Sequence, residues 1–276
     1  MQKSLIKLAA VFLFVITTNA FATDKEQKCD DDTLHIVAKH LGLDEMQIDF
    51  VSQACKTAPI NKNVMLVALA IDVHAPSRPD LGGGKTYTEV VAKVNHTKQK
   101  VISIFKQEVG TDATTDFNES SLTLDTARYQ LNVNTKAFGV RYVSSAIGAS
   151  CADGYHSSQL TLYIDNGNKL LPILVRDMYV AEALKGCLGM ATKDDLARSA
   201  NLGLSILKTK TKGYSDLLLT ATIEDERFVE NSNFKQLKDS LRLVFDGNYY
   251  ILEKKKCYPW WVSENGSNKP TECQHH

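Results

Sequence analysis

"LTLYIDNGNKLLPIL", residues 160–174, alternates apolar and polar side chains up to an Asp-Asn-Gly-Asn turn and then returns through a second apolar run. Leu160, Leu162 and Ile164 fall on one face and Thr161, Tyr163 and Asp165 on the other, the period of two that marks a half-buried strand. Asn166 and Gly167 tolerate the positive φ that a tight hairpin demands. The stretch therefore predicts an antiparallel hairpin. "LRLVFDGNYYIL", residues 241–252, repeats the design with a shorter acidic-glycine turn at Asp246-Gly247-Asn248, and "VAKVNHTKQKVISIF", residues 91–105, reads as a degenerate third copy.

From residue 61 onward the same period recurs. Strand patterns are NVMLVALAIDV, YTEVVAKVN, KVISIFKQEV, SLTLDTARYQL, AFGVRYVSSA, QLTLYID, KLLPILV, NLGLSILKTK, YSDLLLTATIE, SLRLVFD and NYYILEK. They group into three meander units, 61–119, 120–177 and 201–257, fewer than the about four blades of a closed propeller. The expected fold class is mainly β: antiparallel meander hairpins in a large sandwich or an open propeller-like assembly. Two stretches between the second and third units, MYVAEALKGCLG and TKDDLARSA, carry weak helical spacing and read as a connector.

The segment before residue 61 looks different. In TLHIVAKHLG, Leu34, Val37, Ala38 and Leu41 recur at three and four, with Asp32 or Thr33 placed to start a helix and Gly42 to stop it. In DEMQIDFVSQAC, Asp44 and Gln47 have the spacing of a capping box, and Ile48, Val51 and Cys55 share a helical face. A small N-terminal disulfide-tied helical hairpin is expected. At the start of the chain, Lys3 and Lys7 precede an apolar run from Leu8 to Ile16 and a small-residue end at Ala20-Phe21-Ala22. That is the pattern of a secretory signal peptide cut near Ala22, and no run reaches the roughly 20 apolar residues of a membrane-spanning helix. The expected organisation is 1–22 signal peptide, 23–60 helical N-terminal segment and 61–276 β-rich domain, and the expected location is the periplasm or the medium.

Without Lys3 and Lys7 the chain carries 30 basic against 32 acidic residues, scattered with no basic block. Nucleic acid is not an expected partner, and neither an anionic lipid surface nor a heparin-like polymer is indicated. The six cysteines, Cys29, Cys55, Cys151, Cys187, Cys257 and Cys273, are even in number and lie beyond the cut. In an oxidising compartment they read as disulfides, and although six cysteines allow 15 connectivities, their clustering favours Cys29 with Cys55, Cys151 with Cys187 and Cys257 with Cys273. No C-x-x-C pair or Cys/His cluster has the ligand spacing of zinc, so neither a metal nor another cofactor is expected.

Several motifs imitate chemistry. LGGGKTYT around Lys85 looks like a phosphate loop, but Pro79 stands where a phosphate loop has its first glycine and a β-branched run follows in place of a helix. GASCA, residues 148–152, looks like a nucleophile elbow with Ala152 in place of the second glycine. Ser150, Asp153 and His156 could complete a hydrolytic triad, although adjacency in sequence does not build one. The simpler reading is that Cys151 staples a polar loop to Cys187. Glu224, Asp225 and Glu226 read as a solvated turn, and Asp30, Asp31 and Asp32 as a helix start. In CYPWW, residues 257–261, Tyr258, Trp260 and Trp261 offer aromatic surface for a sugar or a partner protein and are the candidate ligand-binding residues.

The block AFGVRYVSSAIGASCADGYHSSQLTLYIDNGNKLLPIL, residues 137–174, resembles a pattern found in a group of exported proteobacterial proteins; the likeness rests on Phe138, Gly139, Arg141, Ser150, Cys151, Asp153, Gly154 and the following hairpin. The resemblance implies a bacterial envelope setting and transfers no catalytic residue. The functional expectation is a non-enzymatic binding or interaction protein of the periplasm or cell envelope, engaging a protein or envelope ligand. The alternatives are an extracytoplasmic hydrolase using Ser150, Asp153 and His156, or a structural envelope component.

Overall fold

The computed structural model describes residues 28–44, 48–73, 84–188, 196–227 and 237–253. The signal-like leader, Tyr258, Trp260, Trp261, Cys257 and Cys273 lie outside the described residues. The elements in chain order are α1 (Asp31–Leu41), β1 (Ile48–Ala58), β2 (Asn61–Val73), β3 (Thr86–Asn95), β4 (Lys100–Gly110), β5 (Leu122–Gln130), β6 (Lys136–Tyr142) and β7 (Gly154–Ser157). There follow β8 (Gln159–Asn166), β9 (Lys169–Arg176), β10 (Tyr179–Lys185), β11 (Leu196–Thr211), β12 (Tyr214–Arg227), β13 (Leu237–Phe245) and β14 (Tyr250–Leu252).

The strands form two sheets, one of eight in the order β1-β2-β3-β4-β9-β8-β6-β5 and one of six in the order β14-β13-β12-β11-β10-β7. Every pairing is antiparallel except β4 with β9, which meet in parallel at Ile104 and Lys169. The quoted hairpin is β8–β9, with Asn166 opposite Lys169 and Gly167 at φ 64° in its turn. The protein is thus mainly β and built from antiparallel hairpins, as its alternation predicts.

The eight-stranded sheet curls until its two edges approach each other. Ser52 on β1, fully buried, accepts a hydrogen bond from the Leu122 N–H of β5 at 3.1 Å and donates to the Glu119 carbonyl at 3.5 Å. The inner wall of this near-barrel gathers Ala54, Leu66, Val91, Phe138, Tyr163 and Leu170. Two layers cover its outer wall. Val37 and Ala38 of α1 pack against Val67, Leu69, Val90 and Val94, while Leu160, Leu162 and Ile164 of β8 meet Leu217, Leu219 and Leu243 of the second sheet.

The helical hairpin expected at the N-terminus is half corrected. Its first half is α1, capped by Asp30, whose Oδ1 accepts the Thr33 N–H at 2.7 Å, and closed by Gly42 at φ 69°. Its second half is strand β1, whose Ser52, Ala54 and Cys55 lie opposite Ala70, Ala68 and Val67 of β2. The reason is that β2 is 13 residues long and buried on both faces, so its backbone groups need a strand partner on the β1 side. The disulfide Cys29–Cys55 therefore pins the lead of α1 to a strand and not to a second helix. The helical reading of the connector is likewise corrected, because Tyr179–Lys185 is β10, paired with β7 and β11.

Candidate functional site

The phosphate-loop imitation dissolves at Lys85, which precedes β3 and lies 3.8 Å from Asp72. Ser150 and Cys151 sit in a turn, and Cys151 is bonded to Cys187. Gly154–Ser157 then forms the edge strand β7 against β10. The Asp153 carbonyl accepts the Ala183 N–H at 2.8 Å. The His156 Nδ1 lies 3.2 Å from Oδ2 of Asp177, a carboxylate only 6% exposed. The carboxylate that meets the imidazole is thus Asp177, 21 positions downstream, a partner brought there by the β7–β10 pairing and invisible to any local motif. Among the described residues, no group of three His, Cys, Asp or Glu side chains could hold a metal ion.

A cavity opens elsewhere, at the end of the near-barrel where the β1–β2, β5–β6 and β8–β9 turns lie. It encloses about 380 Å³, with a floor of Val64, Leu66, Ala137 and Phe138 and a rim that includes Ile60, Asn134 and Lys136. That volume is in the range of roughly 300–1,000 Å³ of small-molecule pockets, which typically combine apolar walls with a few placed polar groups. Lys93 supplies one such group. Its ammonium is ion-paired to Asp165, lies 5.5 Å from the Phe138 ring centroid, and shares Asp165 with Ser103, whose Oγ donates to Oδ1 at 3.0 Å. Lys136 has no ion-pair partner among the described residues, so the rim carries positive charge beyond what Asp165 offsets.

Farther inside, Glu89 of β3 stands opposite Gln107 of β4, whose amide donates to its carboxylate. Burial pushes the Glu89 carboxyl above the usual range, and the Gln107 hydrogen bond only partly opposes it. Both groups keep some access to solvent, because β4 and β9 pair only at Ile104 and Lys169 and the wall is unzipped beyond that point. Burial also raises the hydroxyl of Tyr163, with the Glu89 charge adding to it. The lumen is therefore aromatic and apolar with one carboxylate set into it. The alternation of β3, in which Tyr87, Glu89, Val91 and Lys93 share a face, was the available signal for this wall; it marks the face, and only the curling makes that face an interior. Comparison of the chain with family models, with curated proteins and with solved structures finds no match.

Proposed function

We propose that the protein is a non-enzymatic binding protein, exported to the periplasm or cell envelope, that holds a small and mostly apolar ligand in the mouth of its eight-stranded sheet. The observation that carries this reading is the pocket itself: a cavity of about 380 Å³ with an apolar floor, open at one end, rimmed by Lys136, which has no ion-pair partner among the described residues. A molecule with a hydrocarbon body and an acidic head complements it, because apolar area leaves water on binding while Lys136 faces the head. Two disulfides fit an oxidising compartment.

The test is titration of the protein with the apolar fluorophore N-phenyl-1-naphthylamine, followed by displacement with a straight-chain fatty acid. Ala58→Trp, which places an indole at the mouth, is expected to weaken probe binding by at least tenfold, while Trp260→Ala with Trp261→Ala leaves it unchanged. Loss of binding in the tryptophan variant alone assigns the ligand to the aromatic tail, and no binding by the native chain ends the proposal.

A second reading, a hydrolase, draws on the His156–Asp177 pair at 3.2 Å. Turnover of a nitrophenyl ester that is abolished by Ser150→Ala is the outcome that reading requires.

A further inference from the structure

Acidic and basic residues balance at 32 each over the whole chain, and along the sequence the lysines are dispersed. The fold redistributes them. Antiparallel order puts the β1–β2 and β3–β4 turns at one end, where the His96 N–H reaches the Asn63 carbonyl at 3.1 Å. The parallel contact of β4 with β9 brings the β8–β9 turn to that end, with the Ile104 N–H donating to Asn168 at 3.2 Å. Pairing of β6 with β8 adds the β5–β6 turn. From the second sheet, Ser215 at the start of β12 donates to the Leu131 carbonyl at 2.7 Å, and a second cavity of about 670 Å³ lies between Asn166, Lys212 and Asn248. The β11–β12 and β13–β14 turns therefore share the same pole.

This pole carries Lys62, Lys98, Lys100, Lys169, Lys208, Lys210 and Lys212, all exposed, together with Lys136 on the pocket rim. The acidic residues in these turns are already engaged: Asp165 with Lys93, and Asp246 through Oδ1 with the N–H groups of Asn248 at 2.7 Å and Tyr249 at 2.8 Å. Asp30, Asp31 and Asp32, at the start of α1, border the pole, because Thr33 Oγ1 lies 3.1 Å from His96; Asp30 is taken up in capping α1 through the Thr33 N–H at 2.7 Å, and the eight lysines outnumber the other two. Among these lysines three apolar or aromatic tips project into solvent: Ile60 is 76% exposed, Val133 87% and Tyr249 55%. The 380 Å³ pocket opens between Ile60 and Asn134, the residue that follows Val133.

We propose that this pole docks on the surface of an anionic phospholipid bilayer. The lysines lie over the headgroups, and Ile60, Val133 and Tyr249 enter the boundary with the acyl chains, the combination by which interfacial surfaces bind membranes. A polyanion such as RNA satisfies the lysines equally well but gives no place to aliphatic tips, which is why the lipid surface is the occupant. Docked this way, the pocket faces the membrane directly, although the docking itself does not depend on the pocket being filled.

The measurement is co-sedimentation of the protein with vesicles of phosphatidylcholine and phosphatidylglycerol, against vesicles of phosphatidylcholine alone. Binding to the mixed vesicles only, weakening with added salt, is expected. Charge reversal of Lys98, Lys100, Lys208 and Lys210 to Glu is expected to weaken it by at least about a hundredfold, since each lysine near such a surface contributes about fivefold. Val133→Ser with Tyr249→Ser lowers affinity about tenfold and leaves the salt dependence intact. N-phenyl-1-naphthylamine binding by the charge-reversed protein reports that it is folded and that the pocket is unaffected; if that variant does not fold, the salt dependence of the native chain decides. Absence of binding to the mixed vesicles overturns the proposal, as does binding of poly(U) RNA that survives the Val133 and Tyr249 changes while vesicles are ignored.

Discussion

Strand β3 shows its neighbours two different faces. Val90, Ala92 and Val94 point outward beneath α1 and are each 0% exposed, whereas the inward row of Tyr87, Glu89, Val91 and Lys93 mixes rings and methyls with two charges. The same alternation runs through β8, where Leu160 and Leu162 are sealed by the second sheet. The outer face meets another layer, so selection of its residues is a packing problem. Among the described residues the inner face meets only the rest of its own curled sheet, and at the mouth it lines a cavity of about 380 Å³. Sealed packing and the proposed binding thus fall on opposite faces of one sheet, and the contrast can be broken or sharpened by substitution.

The largest effect is expected on the sealed face. Leu162→Ala removes a fully enclosed side chain between the two sheets and should cost about 4 kcal/mol, lowering the thermal midpoint by about 10 °C. A shift of a degree or two would mean the layers are not dry. Next comes the staple that holds α1 to the outer wall: replacing both Cys29 and Cys55 by Ala opens a loop with a sequence separation of 26 and should cost about 3 to 4 kcal/mol in denaturant unfolding. Gly139 on β6 follows. A Cβ there would stand 2.7 Å from Leu160 Cδ1 and 3.0 Å from Asp125 Cβ, so Gly139→Ala is expected to destabilise by about 2 kcal/mol.

The smallest effect, and of opposite sign, belongs to the inner face. Glu89 has its carboxyl raised by burial, so in the folded state it binds a proton more readily than in the unfolded chain. The charged form thus costs stability above the folded value, and the cost fades as pH falls toward the unfolded value of about 4.3. Glu89→Gln is accordingly expected to stabilise at pH 7 and to lose its advantage near pH 4. Thermal melts across that window check it; a destabilised variant at pH 7 would show that the Gln107 hydrogen bond outweighs the cost of burying the charge.

Legibility in the sequence followed the range of the interactions. All eleven alternating stretches are strands, because a period of two and an Asn-Gly or Asp-Gly turn are local properties. Gly139 and Arg141, singled out by resemblance, prove to have structural partners: Arg141 Nη2 donates to Asp125 Oδ2 at 2.8 Å, and the same oxygen accepts from the Tyr129 hydroxyl at 3.1 Å. β1 was misleading because Ile48, Val51 and Cys55 match a helical face by coincidence, and a neighbouring strand overrode the match. At His156 the imidazole meets Asp177, just beyond the end of another strand, a partner that no local motif shows, while the Asp153 carbonyl accepts the Ala183 N–H.

Alternation, turn residues and the spacing of Cys29, Cys55, Cys151 and Cys187 determined by themselves that this chain is a stapled array of antiparallel hairpins, since each of those signals acts over a few residues or between near neighbours. Only the tertiary structure decided that Ser52 would bring the sheet edges together around a lumen, that Asp177 would face His156, and that lysines from five separate turns would collect at one pole. Those outcomes depend on which strand lies beside which and on how strongly the sheet curls. Both are settled by packing between segments far apart in the chain, where no local pattern carries the information.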